Sequence, residues 1–171
     1  HDEAYYWNYS RALDWGYFHQ PPMIAVMIRV GTAILPGEIG VRLLVILMSI
    51  GTLVLLERLC DAKNPRLFFA IALSLASVHL GSLFAAPDIP LLFFSALFLY
   101  FLRSYLERDS WPQALILGLV AACILYSKYH GIFLLGLSLL ANLSLLRRPS
   151  AWALIGLAFL LFLPHLYWNF Q

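Results

Sequence analysis

From residue 39 onward the chain alternates long apolar runs with short polar breaks. The runs cover residues 39–59, 67–86, 89–106, 113–127, 131–146 and 151–168. Each break carries a residue that ends or restarts a helix: Asn64-Pro65, Pro87 and Pro90, Trp111-Pro112, Gly131, and Pro149. Runs this apolar and this poor in charge read as membrane-spanning helices. Several fall short of the ~20 residues that a perpendicular span needs, so the Arg and Lys stems at their ends are expected to snorkel to the interface. Joining the fourth and fifth runs across residues 127–130 would give a stretch too long for one span. It would also bury Lys128 at mid-membrane, which is costly. Two separate helices are the better reading.

The first 38 residues follow a different pattern. Asp2 is placed to cap a helix of about three turns that ends near Trp15-Gly16. Pro21-Pro22 open a second helix, residues 23–35, which stops at Pro36-Gly37. Its thirteen residues are short for a span and include Arg29, so an interfacial or re-entrant helix fits better. Tyr5, Tyr6, Trp7, Tyr9, Trp15, Tyr17 and Phe18 give this segment the amphipathic rings that suit the water–lipid boundary.

Composition supports the same class. Of 171 residues, 62% are hydrophobic and 12% charged, about half the charge of a soluble domain. A single soluble core is excluded, because apolar runs of this length cannot all be buried. A net charge of +2, without a basic patch interleaved with aromatics, excludes a nucleic-acid partner. Cys60 falls in a loop and Cys123 inside an apolar run, depths that disfavour a disulfide. No metal-binding pair of the CxxC kind is present. The chain opens without Met and breaks off without a polar tail, so a fragment of a larger protein is expected.

Counting spans sorts the loops onto two sides. One side collects seven basic residues: Arg58, Lys63, Arg66, Arg103, Arg108, Arg147 and Arg148. The other has four, Arg11, Arg29, Arg42 and Lys128, spread over more residues. The positive-inside rule puts the first side in the cytoplasm and the second outside it. The expected organisation is therefore an all-α membrane protein. Residues 1–38 form an extracytoplasmic loop with two interfacial helices, and residues 39–171 form a bundle of about six transmembrane helices.

The outer side also collects the unusual polar groups: Asp2, Glu3, His19, Asp88, Lys128, His130, His165 and Asn169. Ionisable groups at the mouth of a helical bundle suggest a site. Each also has a plainer reading. Asp2 and Glu3 are either a capping acid with a solvated neighbour or a general base on an exposed helix tip. Arg11 is an interfacial anchor or a partner for Asp2. Asp88 caps the third span or faces Asp2 across the bundle. Lys128 snorkels, or presents a point charge to a phosphate. His165 lines a cavity or reaches the interface. His79 reads as a hydrogen-bonded core histidine, and Cys123 and Asn142 as packing. Asp2, Glu3, His19 and Asp88 are the residues open to a divalent cation, although their spacing does not demand one.

The order of motifs carries a family likeness. Asp2-Glu3, Ser10-Arg11, Gly16-Tyr17-Phe18, Pro21-Pro22, Val41-Arg42-Leu43, Ala86-Pro87-Asp88, Ser127-Lys128-Tyr129-His130-Gly131 and the stretch from Pro164 to Trp168-Asn169 follow one another in this order. Together they resemble the polyprenyl-phosphate-sugar-dependent glycosyltransferases. Those include the dolichyl-phosphate-mannose protein mannosyltransferases and the bacterial lipid A aminoarabinose transferases.

The resemblance implies a type C glycosyltransferase bundle of several hundred residues, of which this chain is the N-terminal half. It implies a membrane enzyme, with the bacterial inner membrane as the expected location and the active site outside the cytoplasm. The donor would be a polyprenyl-phosphate sugar and the acceptor a lipid, glycan or protein. No cofactor is required, with a divalent cation left open. Asp2 would be the catalytic base with Glu3 as its usual neighbour. Lys128, Arg11, His19, Gln20, Asp88 and His130 are the candidates for the donor-phosphate side. In the family an acidic residue and then Lys or His often precede the Pro-Pro pair; here the two are His19-Gln20. The competing readings are a transporter or channel subunit with a polar outer cavity, and a scaffold protein without chemistry. A conduit would spread ionisable groups along the depth of the bundle, whereas here they cluster at one end.

Overall fold

In lipid, backbone polar groups must be satisfied within the chain, so apolar runs become helices and the breakers set their ends. The computed structural model describes residues 2–17, 20–75 and 84–170, Asp2 by its backbone only. Its helices are α1 (Asp2–Arg11), α2 (Met23–Ile34), α3 (Gly37–Leu59), α4 (Pro65–Ser74), α5 (Asp88–Glu107), α6 (Trp111–Ser127), α7 (Gly131–Ala141) and α8 (Pro149–Asn169), with a 3₁₀ turn at Leu143–Arg147 before α8. No strand occurs among the described residues. Pro65, Pro112 and Pro149 sit in the first turns of their helices, where the missing N–H has no intrahelical partner to lose. Asn64 caps α4 by accepting the Leu67 N–H.

Three expectations change. The first helix ends at Arg11 rather than near Trp15-Gly16. Side chains take over the backbone there. The Tyr17 hydroxyl donates to the carbonyls of Tyr9 and Ala12 and accepts the Asp14 N–H, while Asp14 accepts the N–H of Trp15. The run 67–86 is not one continuous helix. Helix α4 stops at Ser74, Leu75 is extended and residues 84–86 are non-helical. The Ser74 hydroxyl takes the Ile71 carbonyl, and Pro87 biases Ala86 away from helical backbone. His79 lies outside the described residues. The run 131–146 splits at Asn142, whose amide turns back onto the Ser138 carbonyl and leaves only a 3₁₀ turn beyond it. Residues 128–130 do separate α6 from α7, as expected.

Among the described residues, α3, α5 and α8 are long and apolar enough to cross a membrane. Helices α2, α4, α6 and α7 are apolar but shorter, at 12, 10, 17 and 11 residues. At 1.5 Å per residue even α6 covers only about 25 Å. The chain is thus an all-helical membrane protein with three described candidate spans.

The helices pack in a row, α8 on α6, α6 on α5, α5 on α3, α3 on α2 and α2 on α1, with α2 also touching α6. One buried cluster joins α5, α6, α8 and the 3₁₀ turn through Phe98, Tyr105, Leu117, Ile124, Leu145 and Ala158. A second joins α2, α3 and the start of α5 through Ile24, Ile28, Val45, Ala85 and Ile89, with Tyr6 of α1 packed against it. Close approach depends on small residues, as is usual between membrane helices. Gly31 of α2 lies against the Gly40 backbone of α3, and a Cβ at either position would strike a carbonyl oxygen. Gly118 lets α6 approach α8, where a Cβ would sit 2.9 Å from the Leu154 carbonyl oxygen.

The end remote from α1 is closed by internal bonds. Arg148 donates to the carbonyls of Tyr105 and Leu106 at 2.5 and 2.8 Å, occupying the last acceptors of α5. The buried Tyr105 hydroxyl bonds Ser150 at 2.5 Å, Ser150 bonds Asp109, and Arg103 pairs with Asp61 at 2.8 Å.

The α2–α3 contact generates a test. Gly40→Ala should destabilise the protein by about 1–3 kcal/mol, read as a lower melting temperature in detergent. Gly156→Ala, where no atom lies within 4 Å of the new methyl group, should leave it unchanged or slightly higher.

Candidate functional site

The α1 end is built from the tips of several elements. Asp2 begins α1, and Glu3 follows in the first turn, where a carboxylate complements the helix dipole. Arg42 stands in the second turn of α3. Its guanidinium grips the Glu3 carboxylate through two parallel bonds, Nε to Oε1 at 2.9 Å and Nη2 to Oε2 at 2.7 Å. The Ala85 N–H adds a third bond to Oε1 at 3.2 Å. This fork-on-fork geometry is the strong form of a charge-assisted bond. The Arg42 guanidinium, with the Ala85 N–H and despite partial burial, holds the Glu3 carboxyl below its ordinary value of 4.5. An open cleft of about 450 Å³ lies beside the pair, lined also by Trp7, Glu38 and Val41.

Ala85 leads directly to the next pair. Asp88 opens α5, and its carboxylate accepts from Lys128 Nζ at 2.7 Å. Lys128 ends α6 in extended backbone, and its side chain is 26% exposed against 57% for Asp88. Next to Lys128, the Tyr129 hydroxyl lies 3.0 Å from Nε2 of His165, near the end of α8. Nδ1 of His165 lies 2.6 Å from the Trp15 carbonyl oxygen in the α1–α2 connection. Asp14 of that connection accepts the Trp168 indole N–H at 3.0 Å. The α1 end is therefore a belt of polar contacts running through α1, α3, the start of α5, the α6–α7 turn and α8.

The sequence-derived candidates fall unevenly along this belt. Glu3, Asp88 and Lys128 lie on it. Gln20 is partly buried and exchanges two backbone bonds with Tyr17, at 3.2 and 3.3 Å. Arg11 ends α1 exposed, its guanidinium 5.3 Å from the Trp7 ring centroid. His130 is exposed at the start of α7, with its ring beside Phe133. His19 and the Asp2 side chain lie outside the described residues. Among the described residues no group of three or more His, Cys, Asp or Glu can hold a metal. Of the acids weighed for a divalent ion, Glu3 and Asp88 each already hold a cationic side chain.

Sequence reading missed Arg42 as the partner of Glu3. Its signal was an arginine just inside a span on the side poorer in basic residues. It also missed Asp14–Trp168 and the ties made by His165. Tyr9 adds a local feature. It stacks on Tyr17 at 4.0 Å and bonds the Tyr5 hydroxyl, and burial together with that bond pushes its phenol up to about 12.

The Glu3 pair sets a pH dependence. A carboxyl lowered by folding stabilises the protein above its unfolded value and loses that contribution as pH falls through the folded value. Glu3→Gln should thus melt lower than wild type at neutral pH. The gap should narrow as pH is taken below 4.5, measured by thermal unfolding of both proteins in the same detergent.

The family described as dolichyl-phosphate-mannose-protein mannosyltransferase matches residues 19–168, a stretch that contains Arg42, Asp88, Lys128 and His165. Lipid A galacturonosyltransferase RgtD of Rhizobium johnstonii is 33% identical over 183 residues, covering 99% of this chain and 38% of its own length. The chain thus spans about two-fifths of the length of the curated relative it matches. No solved structure matches it. With the family match covering most of the chain and a relative aligned along almost all of it, the chain belongs to the dolichyl-phosphate-mannose-protein mannosyltransferase family of membrane glycosyltransferases.

Proposed function

We propose that the protein transfers a sugar from a polyprenyl-phosphate donor to an acceptor hydroxyl at the extracytoplasmic membrane face, with inversion and with Asp2 as the general base. The family match carries the reaction class. The printed name of the relative makes a lipid A-like glycolipid the first acceptor to test. The whole assembly is read as a type C bundle of about six spans, to which the described helices contribute three.

The observation that favours Asp2 is the commitment of its neighbour. Glu3 spends its carboxylate on Arg42 and Ala85 and has its basicity lowered by them. It serves to fix the tip of α1, which leaves Asp2 to take the proton. In the reaction the acceptor oxygen attacks the anomeric carbon from the face opposite the phosphate. Its proton passes to Asp2. The bond from the anomeric carbon to the phosphate oxygen breaks, and the electron pair leaves with the polyprenyl phosphate. Lys128 supplies positive charge to the departing phosphate, held ready by Asp88. Arg11, His19, Gln20 and His130 are the further candidates on that side. The cytoplasmic assignment of the opposite end follows the excess of basic residues there.

Two measurements test this reading. In the full-length protein, Asp2→Asn should lower turnover by about two to four orders of magnitude with little change in melting temperature. A residue that only caps α1 would instead cost about 1 kcal/mol of stability and leave turnover per folded molecule intact. For orientation, Cys60 is exposed at the end remote from α1 and Cys123 is half-buried. An impermeant thiol reagent added outside whole cells should label neither; labelling of Cys60 would invert the topology.

A further inference from the structure

His165 is fully buried, yet both of its ring nitrogens are engaged. Nδ1 lies 2.6 Å from the Trp15 carbonyl oxygen. That oxygen carries no hydrogen, so Nδ1 must hold the proton and donate it. Nε2 lies 3.0 Å from the Tyr129 hydroxyl and 3.1 Å from Nδ2 of Asn169. The same Nδ2 is 2.9 Å from the carbonyl oxygen of His165 itself. Only the NH₂ side of the amide suits both contacts, one hydrogen to the carbonyl and one to the ring. Nε2 therefore accepts, and Tyr129 directs its hydroxyl hydrogen to the same atom. The hydrogen bonds specify one state of the ring, neutral with its proton on Nδ1. Phe162 and Tyr126 enclose the ring, with centroids at 5.0 and 5.9 Å.

The two nitrogens reach two different stretches. On the Nδ1 side, Trp15 belongs to the connection that runs through Gly16 and Tyr17 to Gln20. Trp168 packs over Gly16, so that a Cβ there would lie 2.5 Å from its ring. Tyr17 and Gln20 then exchange backbone bonds. On the Nε2 side, Tyr129 directly follows Lys128, whose ammonium holds Asp88. We infer that His165 is a positioning residue that sets the spacing between the Gln20 connection and the Lys128 turn, the two stretches that carry candidates for the donor-phosphate side. The inference rests on the glycosyl-transfer reading for what the spacing serves, though not for the spacing itself. His165 itself touches neither donor nor acceptor in this scheme.

Three variants and two substrate-free readouts test it on the full-length protein. His165→Ala loses both ties. His165→Asn puts an amide donor where Nδ1 stood and keeps the Trp15 tie alone. His165→Gln reaches the Nε2 position and keeps the Tyr129 tie alone. One lost hydrogen bond shifts an equilibrium by about two- to tenfold. We expect His165→Ala to raise the KM for a polyprenyl-phosphate sugar donor by about tenfold or more and to change kcat less. Asn and Gln should each recover part of the loss. Nitrogen-15 spectra of histidine-labelled wild type, assigned by the loss of one signal in His165→Asn, should show the Nδ1–H neutral ring. Hydrogen exchange should quicken at residues 12–17 and 128–131 in the Ala variant, and not in the α3–α5 core. A folded Ala variant with the donor KM of wild type overturns the positioning role. An Nε2–H or doubly protonated ring in wild type overturns it too, whether or not any variant folds. A wild-type protein that transfers no sugar overturns the functional reading alone. The spectra and the exchange pattern then still decide whether His165 holds the two stretches together.

Discussion

The Glu3 carboxylate is the point at which three stretches far apart in sequence are tied. Helix α1 supplies it, α3 supplies the Arg42 fork, and the strand of chain before α5 supplies the Ala85 N–H. Ten residues of mostly polar and aromatic sequence do not make a stable helix alone. Helix α1 persists because its first turn is held by this ion pair, Tyr6 packs on the buried cluster of α2 and α3, and Tyr9 stacks on Tyr17. The charge-assisted contact anchors the first turn of α1, and 23% exposure of Glu3 keeps its desolvation partial.

The two ends of the bundle use polar groups in different ways. At the far end Arg148, Tyr105, Ser150 and Asp109 bond one another and finish the ends of α5 and α8. That is how a helix terminus is closed when water is scarce. At the α1 end the charged pairs are half open, and an open cleft of about 450 Å³ adjoins one of them. The same residue types serve structure at one end and remain accessible at the other.

Most of the helices were legible in the sequence because proline marks helix starts so strongly. Pro65, Pro112 and Pro149 each lie within the first turn of a helix, and Pro36-Gly37 separate α2 from α3. The misread boundaries share a cause. At Arg11, Ser74 and Asn142 a helix stops where a side chain bonds the backbone of its own or a neighbouring turn, and neither Gly nor Pro announces it. Gathering the polar residues onto one side was within reach of span counting. Pairing them was not. Arg42 and Glu3 are 39 residues apart, and Lys128 and Asp88 are 40 apart. Apolar periodicity reports which face is dry and says nothing about which charge meets which. His165 showed the same limit, since its partner Trp15 lies 150 residues away.

Helix α3 carries the Arg42 fork, yet only 11% of its most apolar window is buried within the chain. Ile39, Leu47 and Ile50 are among its exposed side chains, at 70%, 54% and 55%. Such a helix has no meaningful reference state in water. What surrounds it must be acyl chains or other protein, and the free energy that keeps it in place belongs partly to that surrounding medium. Changing bilayer thickness or detergent chain length therefore acts on the tilt of α3. Through the rigid fork on Glu3, it acts on the tip of α1 as a lever acts on its load.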